Sequence, residues 1–288
     1  MDTNLTITEQ LLPNEDKFNN DFFKRFKLRH RDTPLQLNDS VAKNYRFPTF
    51  YADSSCSMAI FHCDYQAAKA MMPDPSMEPV KMAKGRALVI FSCYEYRNVM
   101  NVAPYNEIAM TIPVMTDGGM NIPVLSMLLG DKQKKFGYYV FNMPVTSLEN
   151  RIRGRKLWGL PKDTECIDIK QDGQFSTIKA TIGNEEPYFE LKVPTTGSPQ
   201  EFDVKSNLFS VLDNSRLTSM TQFKGQFNIT KNMGTLFNKS SSTNVGTLTI
   251  GQGPKADQLR ALKIEGQAFQ FRYSHSMNAC FDLAHQTV

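Results

Sequence analysis

Long apolar runs are missing from this 288-residue chain. Its longest charge-free stretches, such as Gly118 to Gly130, fall short of the roughly 18 apolar residues a membrane-spanning helix needs, and they contain Asn, Pro and Ser. A dominant charge is missing too. The 33 basic and 29 acidic residues leave a formal +4, too small and too mixed to call for nucleic acid or a membrane as partner. The opening "MDTNLTITEQ" has neither the basic start nor the apolar core of a secretory signal. The expectation is a soluble, non-exported, cytoplasmic protein.

Paired cysteines and metal-ligand spacings are also lacking. Cys56, Cys63, Cys93, Cys166 and Cys280 are odd in number and scattered, a pattern of reduced thiols rather than of a disulfide framework. His62-Cys63 is the one close pair of candidate ligands, and neighbours in a strand point to opposite faces, so no metal site is expected. Gly246, Gly251 and Gly253 precede a helical pattern but match neither the dinucleotide fingerprint nor a Walker loop, and read as an ordinary turn. No Gly-x-Ser-x-Gly elbow occurs.

What is present is a hydrophobic fraction of 41%, with 20 Phe and 15 Met, the composition of a folded core filled by bulky, adaptable side chains. Residues 1–44 read as a polar N-terminal extension. Its basic run "KRFKLRHR" (24–31), with Phe22, Phe23, Phe26 and Leu28 as an apolar stripe, predicts a docked basic amphipathic helix. From Tyr45 the pattern changes to strands: "CSMAIFHCDY", "RALVIFSCYEYR", "NEIAMTIPVM" and "FGYYVFNMPV". Between the first two, "AAKAMMPDPSMEP" predicts a short helix stopped by Pro73. "ECIDIK" and "FSTIKATI" flank "QDGQ", predicting a hairpin in which Asp172-Gly173 supplies positive φ angles. Beyond Val193 come the polar "TTGSP", mixed segments to Phe237, and "NKSSSTNVG", which reads as an exposed loop. "TLTIGQGPKADQLRAL" predicts strand, turn and helix with Pro254 near the first helical position, and "GQAFQFRYSHSMNACFDLAH" a terminal strand. No linker divides residues 45–288. The fold class is mainly β (α+β): a single domain on a large antiparallel sheet with a few packed helices.

One helix is expected from Ser147 to about Leu157. Thr146 and Glu149 have capping-box spacing. Leu148 and Ile152 can face the core while Arg151, Arg153, Arg155 and Lys156 cover the other sides; Gly159 and Pro161 stop it. Lys162 follows, where the chain re-enters the sheet. A lysine becomes a nucleophile only if its ammonium loses a proton near neutral pH, which requires desolvation or a nearby cation. Arg155 or Arg153 is placed to supply one. On spacing alone a structural lysine is the favoured reading.

The stretch "GRKLWGLPKD" resembles the Gly-Arg-Glu-x-x-Gly-x-Pro-Lys-Lys motif of acetoacetate decarboxylases, and "APYNEIAMTIPV" resembles that family's Tyr-x-Glu segment. "YRFPTFYADSSCSMAIFHCDYQAAKAMMPDP" and "LKIEGQAFQFRYSHSMNACFDL" are more thinly similar, so the resemblance runs from Tyr45 to the end. It implies a barrel- or cone-like sheet, a homo-oligomer, and a small keto acid as partner. Lys162 would be the Schiff-base lysine and Glu107 the acid of the pocket. Tyr105 belongs to the same motif, and Trp158 reads as a core or pocket-wall residue. No cofactor is implied, because the protonated imine is the electron sink. The family implies a carboxy-lyase for a β-keto acid such as acetoacetate. Its relatives imply an aldolase-dehydratase on pyruvate-like acids as an alternative, and a non-catalytic ligand-binding relative as another.

Two departures stand out. In that family, the best-known example of a cation-activated lysine, a second lysine follows the nucleophile; here Asp163 stands there. A carboxylate about 6 Å from the amine, at an effective dielectric of about 20, would favour the ammonium by roughly 3 kcal/mol unless it is turned away. Near Asp53-Ser54, where the family's pocket arginine is expected, there is none, and Arg46 is the nearest candidate to replace it.

Overall fold

The structure, a computed structural model, describes residues 3–122, 135–183, 185–237 and 247–286. Part of the Gly118–Gly130 stretch, Gly246 and all of "NKSSSTNVG" lie outside the described residues.

Seven strands close a mixed barrel. They are β1 (Thr49–Asp64), β2 (Arg86–Val99), β3 (Tyr105–Thr116), β4 (Phe136–Val145), β9 (Ser198–Leu212), β10 (Ser215–Lys231) and β12 (Ala268–Phe281). Around the barrel the order is β4-β9-β10-β12-β1-β2-β3, and β3 pairs back onto β4. β5 (Lys162–Thr164) extends this sheet. A second, antiparallel sheet of β6 (Cys166–Gln171), β7 (Phe175–Thr181), β8 (Phe189–Pro194) and β11 (Leu248–Ile250) packs outside it.

This layering explains why β1 to β3 read as nearly continuous apolar runs: both faces are covered. Ala59, Phe61, Val89, Phe91, Ile108 and Met110 pack outward against Ile167, Ile178, Phe189 and Leu191 of the second sheet. Met58, Ile60 and Ile90, on the alternate positions, face a cavity inside the barrel. The clean in-out alternation expected of a half-solvated sheet is therefore absent.

Helix α1 (Tyr65–Ala70) is capped by the Asp64 carboxylate, which accepts from the Ala67 N–H at 2.9 Å, and it ends before Pro73 as expected. Helix α2 (Leu148–Trp158) ends at Gly159, in the left-handed conformation at φ 58°, where a Cβ would meet the Val211 carbonyl oxygen at 2.9 Å. Helix α3 (Pro254–Ala261) begins on its proline. No helix among the described residues is long and apolar enough to cross a membrane.

Several local expectations are corrected. The basic run forms no amphipathic helix: Phe23–Arg25 is one 3₁₀ turn, and Arg29–His30 is already extended. Phe18, Phe22 and Phe23 instead cluster on Phe50 of β1, with the Phe23 and Phe50 rings 4.8 Å apart. Burying consecutive phenylalanines requires a tight turn, not a 3.6-residue stripe. At the Asp172-Gly173 turn only Gly173 has positive φ; the Asp172 carboxylate accepts from the N–H groups of Gln174 and Phe175. The segment after "TTGSP" is the long β9–β10 hairpin, paired from Ser198↔Ile229 to Leu212↔Ser215, whose mixed polar pattern hides its regularity.

Candidate active site

Glu107 and Lys162 reach the same point from opposite sides of β4. Its Val145 pairs with Glu107 of β3 on one edge. The other edge pairs with β9 through Tyr138 and Tyr139, and further along with β5, where Lys162 lies opposite Met143. The helix-to-strand turn fixes β5: the Met143 N–H donates to the Pro161 carbonyl at 3.2 Å, and the Leu160 N–H to the Gly154 carbonyl at 3.1 Å. Glu107 is fixed one residue earlier on β3. The Asn106 N–H donates to Thr146 Oγ1, and its side-chain amide to the Ile167 carbonyl.

Lys162 Nζ lies 2.5 Å from Glu107 Oε2, and both residues are only 5% exposed. The other carboxylate oxygen accepts from the Tyr96 hydroxyl at 3.3 Å. Tyr94 and Tyr96 stack at 5.1 Å, Tyr51 lies 4.5 Å from Tyr96, and the Tyr105 ring is 5.8 Å from Lys162 Nζ. Burial pushes all four phenols up, Tyr51 to about 12. They stay protonated donors throughout the physiological range. The Lys162–Glu107 pair opens into a cavity of about 380 Å³, within the size range of small-molecule sites. Met58, Ile60, Met143, Leu160 and Phe281 are among its apolar walls.

The space for the lysine stem comes from Gly154 on α2. A Cβ there would meet Lys162 Cε at 2.7 Å and Cγ at 2.9 Å. Asp163, next along β5, points to the other face, as alternation requires. Its carboxylate is paired with Arg155 and with Lys255 Nζ, the latter at 2.9 Å. Although burial pulls Asp163 upward, the Lys255 hydrogen bond and neighbouring cations hold its carboxyl below the usual range. It is not among the residues that line the cavity, and its charge is met by Arg155 and Lys255.

Other candidates sit differently from expectation. Arg155 is not beside the Lys162 amine: its Nε donates to the Lys162 carbonyl at 2.6 Å, so it holds backbone. Arg153 does not cover a solvated side of α2. It is 1% exposed, donates to Asn150 and Thr49, and lies 4.3 Å over the Tyr45 ring. The N-cap is Ser147 rather than Thr146, which is spent on Asn106. Glu149 serves no capping box but pairs with Lys43 at 2.9 Å and accepts from Tyr45 at 2.5 Å. Trp158 stands behind the cavity wall, stacked at 4.8 Å on Phe281. Arg46 does not fill the place of the absent arginine, because it pairs with Glu15 outside the cavity.

Sequence reasoning missed Tyr51, Tyr94, Tyr96 and Arg272 on the cavity wall. The signal for two of them was available: Tyr94 and Tyr96 alternate in "SCYEYR", and Tyr94 pairs in register with Glu107. No cluster of metal-ligating side chains occurs among the described residues.

A family model described as acetoacetate decarboxylase matches residues 32–274. The chain belongs to the acetoacetate decarboxylase family. Solved structures agree at the level of fold. An acetoacetate decarboxylase from Legionella pneumophila is 14% identical with a TM-score of 0.59, covering 90% of this chain and 92% of that one. The enduracididine biosynthesis enzyme MppR, solved with pyruvate, is 13% identical with a TM-score of 0.55, covering 83% and 90%. An acetoacetate decarboxylase-like enzyme from Sphingomonas wittichii RW1 is 13% identical with a TM-score of 0.52, covering 88% and 95%. No curated protein matches by sequence. The family match begins at residue 32, inside the segment read as an N-terminal extension.

Proposed function

We propose that this member of the acetoacetate decarboxylase family is a carboxy-lyase that decarboxylates a β-keto acid through a Schiff base on Lys162. The observation that carries the reading is the 2.5 Å contact between Lys162 Nζ and Glu107 Oε2 at the wall of the cavity. Transfer of one proton across that contact yields a neutral amine and a carboxylic acid. The amine lone pair attacks the ketone carbon, and loss of water leaves a protonated imine. The bond to the carboxylate then breaks: carbon dioxide departs and the electron pair moves onto the imine, giving a neutral enamine. Glu107, which gives up its proton as that water leaves, takes another from solvent water and, within reach of the lysine nitrogen, is placed to deliver it to the enamine carbon directly or through one water. Hydrolysis returns Lys162 and the product ketone. Tyr96, a protonated phenol bonded to Glu107, steadies the carboxylate as its proton comes and goes.

An aldolase-dehydratase that condenses a pyruvate-like acid with an aldehyde is the second reading. It is favoured by the cavity, whose volume of about 380 Å³ has room for two reactants, and by the fold shared with MppR. Incubation with acetoacetate, and with pyruvate plus an aldehyde, separates the two. Carbon dioxide release lost in Lys162→Met supports the lyase; a condensation product lost in the same variant supports the aldolase; neither product with either substrate set overturns both.

A further inference from the structure

We infer, on the Schiff-base reading of Lys162, that the substrate is a β-keto acid whose ketone carries an apolar alkyl chain where acetoacetate has its methyl group, with Ile60 and Ile90 as the floor that receives the end of that chain.

Strand register gives the cavity its depth. Glu107, Ala109 and Thr111 occupy successive in-facing positions of β3, and all three line the cavity. Thr111 pairs with Ile90 of β2, and Ile90 with Ile60 of β1. The two isoleucines, also on the cavity wall, therefore stand two in-facing steps, about 13 Å along the strands, from the row of Glu107. With its ketone on Lys162, acetoacetate places one carbon, the methyl group, beyond the reacting carbonyl on that side. A chain several bonds longer is needed to reach the isoleucines.

That far end is built of carbon. Ile60 and Ile90 are 1% and 4% exposed and belong to one buried cluster with Met82 and Leu88. Met58 lines the cavity one step nearer the lysine, and Phe202, Phe223 and Met277 line it from β9, β10 and β12. Methionine side chains adapt their shape to a flexible chain. Polar residues on the wall are bound to the barrel itself: the Thr221 hydroxyl donates to the Ser206 carbonyl at 3.3 Å, and Arg272 donates to Gln270 Oε1 at 3.1 Å with its guanidinium 5.2 Å over the Phe202 ring. An alkyl chain leaves those contacts in place and gains the burial of each methylene group.

The chain takes no part in the bond-breaking step. Its burial is binding energy remote from the reacting centre, and it holds the ketone against the Lys162 amine. Loss of carbon dioxide from R–CO–CH2–COO−, with uptake of one proton, leaves the methyl ketone R–CO–CH3. That product keeps the whole chain and forms the same imine nitrogen-to-carbon bond with Lys162.

The test uses such ketones: borohydride trapping on Lys162, read by mass spectrometry at subsaturating concentration, with acetone, 2-pentanone, 2-heptanone and 5-methoxy-2-pentanone, which has the length of 2-heptanone and an ether oxygen in its chain. In the wild type the labelling rate is expected to rise about threefold per added methylene as far as 2-heptanone, the factor for burying one such group. The ether should fall at least ~5-fold below 2-heptanone, because its oxygen enters an apolar site. Ile60→Phe and Ile90→Phe fill the floor, and each should cut the 2-heptanone-to-acetone ratio by about tenfold, as for two methylenes left unburied. Wild-type labelling that is independent of chain length, that favours acetone, or that is as fast with the ether as with 2-heptanone overturns the inference even if both variants fail to fold. So does an undiminished ratio in the folded variants. Each of these results, with Lys162 still labelled, leaves the Schiff-base reading standing. Labelling of Lys162 by none of the ketones overturns both.

Discussion

Gly154 and Lys162 share one volume. The helix residue lacks a side chain where the lysine stem crosses it, and a Cβ there would lie 2.7 Å from Cε and 2.9 Å from Cγ. Real Cβ atoms do not approach so closely, and the stem, 5% exposed, has little room to shift. Gly154→Ala, neutral or stabilising in an unstrained helix, is therefore expected to push the amine off Glu107. A displacement near 1 Å costs a positioned group on the order of 10²-fold in rate. Borohydride labelling of Lys162 in this variant should fall by that order while its melting temperature drops by only a few degrees.

The buried pair makes a second prediction. Removing one partner leaves the other charged and desolvated, so Lys162→Met and Glu107→Gln are each expected to lose about 3–5 kcal/mol of stability. The double variant leaves no stranded charge and should lose less than the worse single variant. Urea unfolding of the four proteins measures the coupling; strictly additive losses would mean that the two side chains do not sense each other.

Asp163 supplies the contrast, being one residue from Lys162 but facing outward to Arg155 and Lys255. Asp163→Asn should leave the labelling rate of Lys162 within about twofold and lower stability by at most ~1 kcal/mol, as for a half-exposed pair. The lost stability is the part present above the unfolded carboxyl pKa, since this carboxyl titrates lower in the fold. A tenfold acceleration of labelling would mean that the carboxylate does act on the amine.

His62 sets a pH dependence outside the cavity. It is fully buried, neither ring nitrogen has a hydrogen-bond partner, and burial, with Arg86 adding to it, lowers it to about 4. The unfolded chain binds a proton at His62 between roughly pH 6.5 and 4 and the folded chain does not, so stability must fall as pH falls through that window. Stability measured from pH 7 to 4 should drop by up to about 3 kcal/mol more in the wild type than in His62→Gln.

Legibility of the fold and the site followed the physics of each segment. Lys162 and Glu107 were visible because a Gly-x-Pro-Lys turn and a Tyr-x-Glu strand start are local patterns. The end of α2 was visible because Gly159 adopts a backbone that other residues resist. Arg153 was not visible: a buried arginine in a run of basic residues looks the same as its solvated neighbours until Tyr45 and Thr49 are brought beside it. Arg272 was hidden for the opposite reason. In "FQFRYSHS" alternation reads a charged residue as solvent-facing, and only closure of the barrel turns that face inward.

The amine of Lys162 is expected to form a covalent imine with a keto acid. Reduction with sodium borohydride in the presence of acetoacetate, followed by peptide mass mapping, tests it most directly. The expected result is one substrate-sized mass increment on the peptide containing Lys162, absent in Lys162→Met and without borohydride; an unmodified Lys162, or labelling spread over surface lysines and unchanged in that variant, would contradict it.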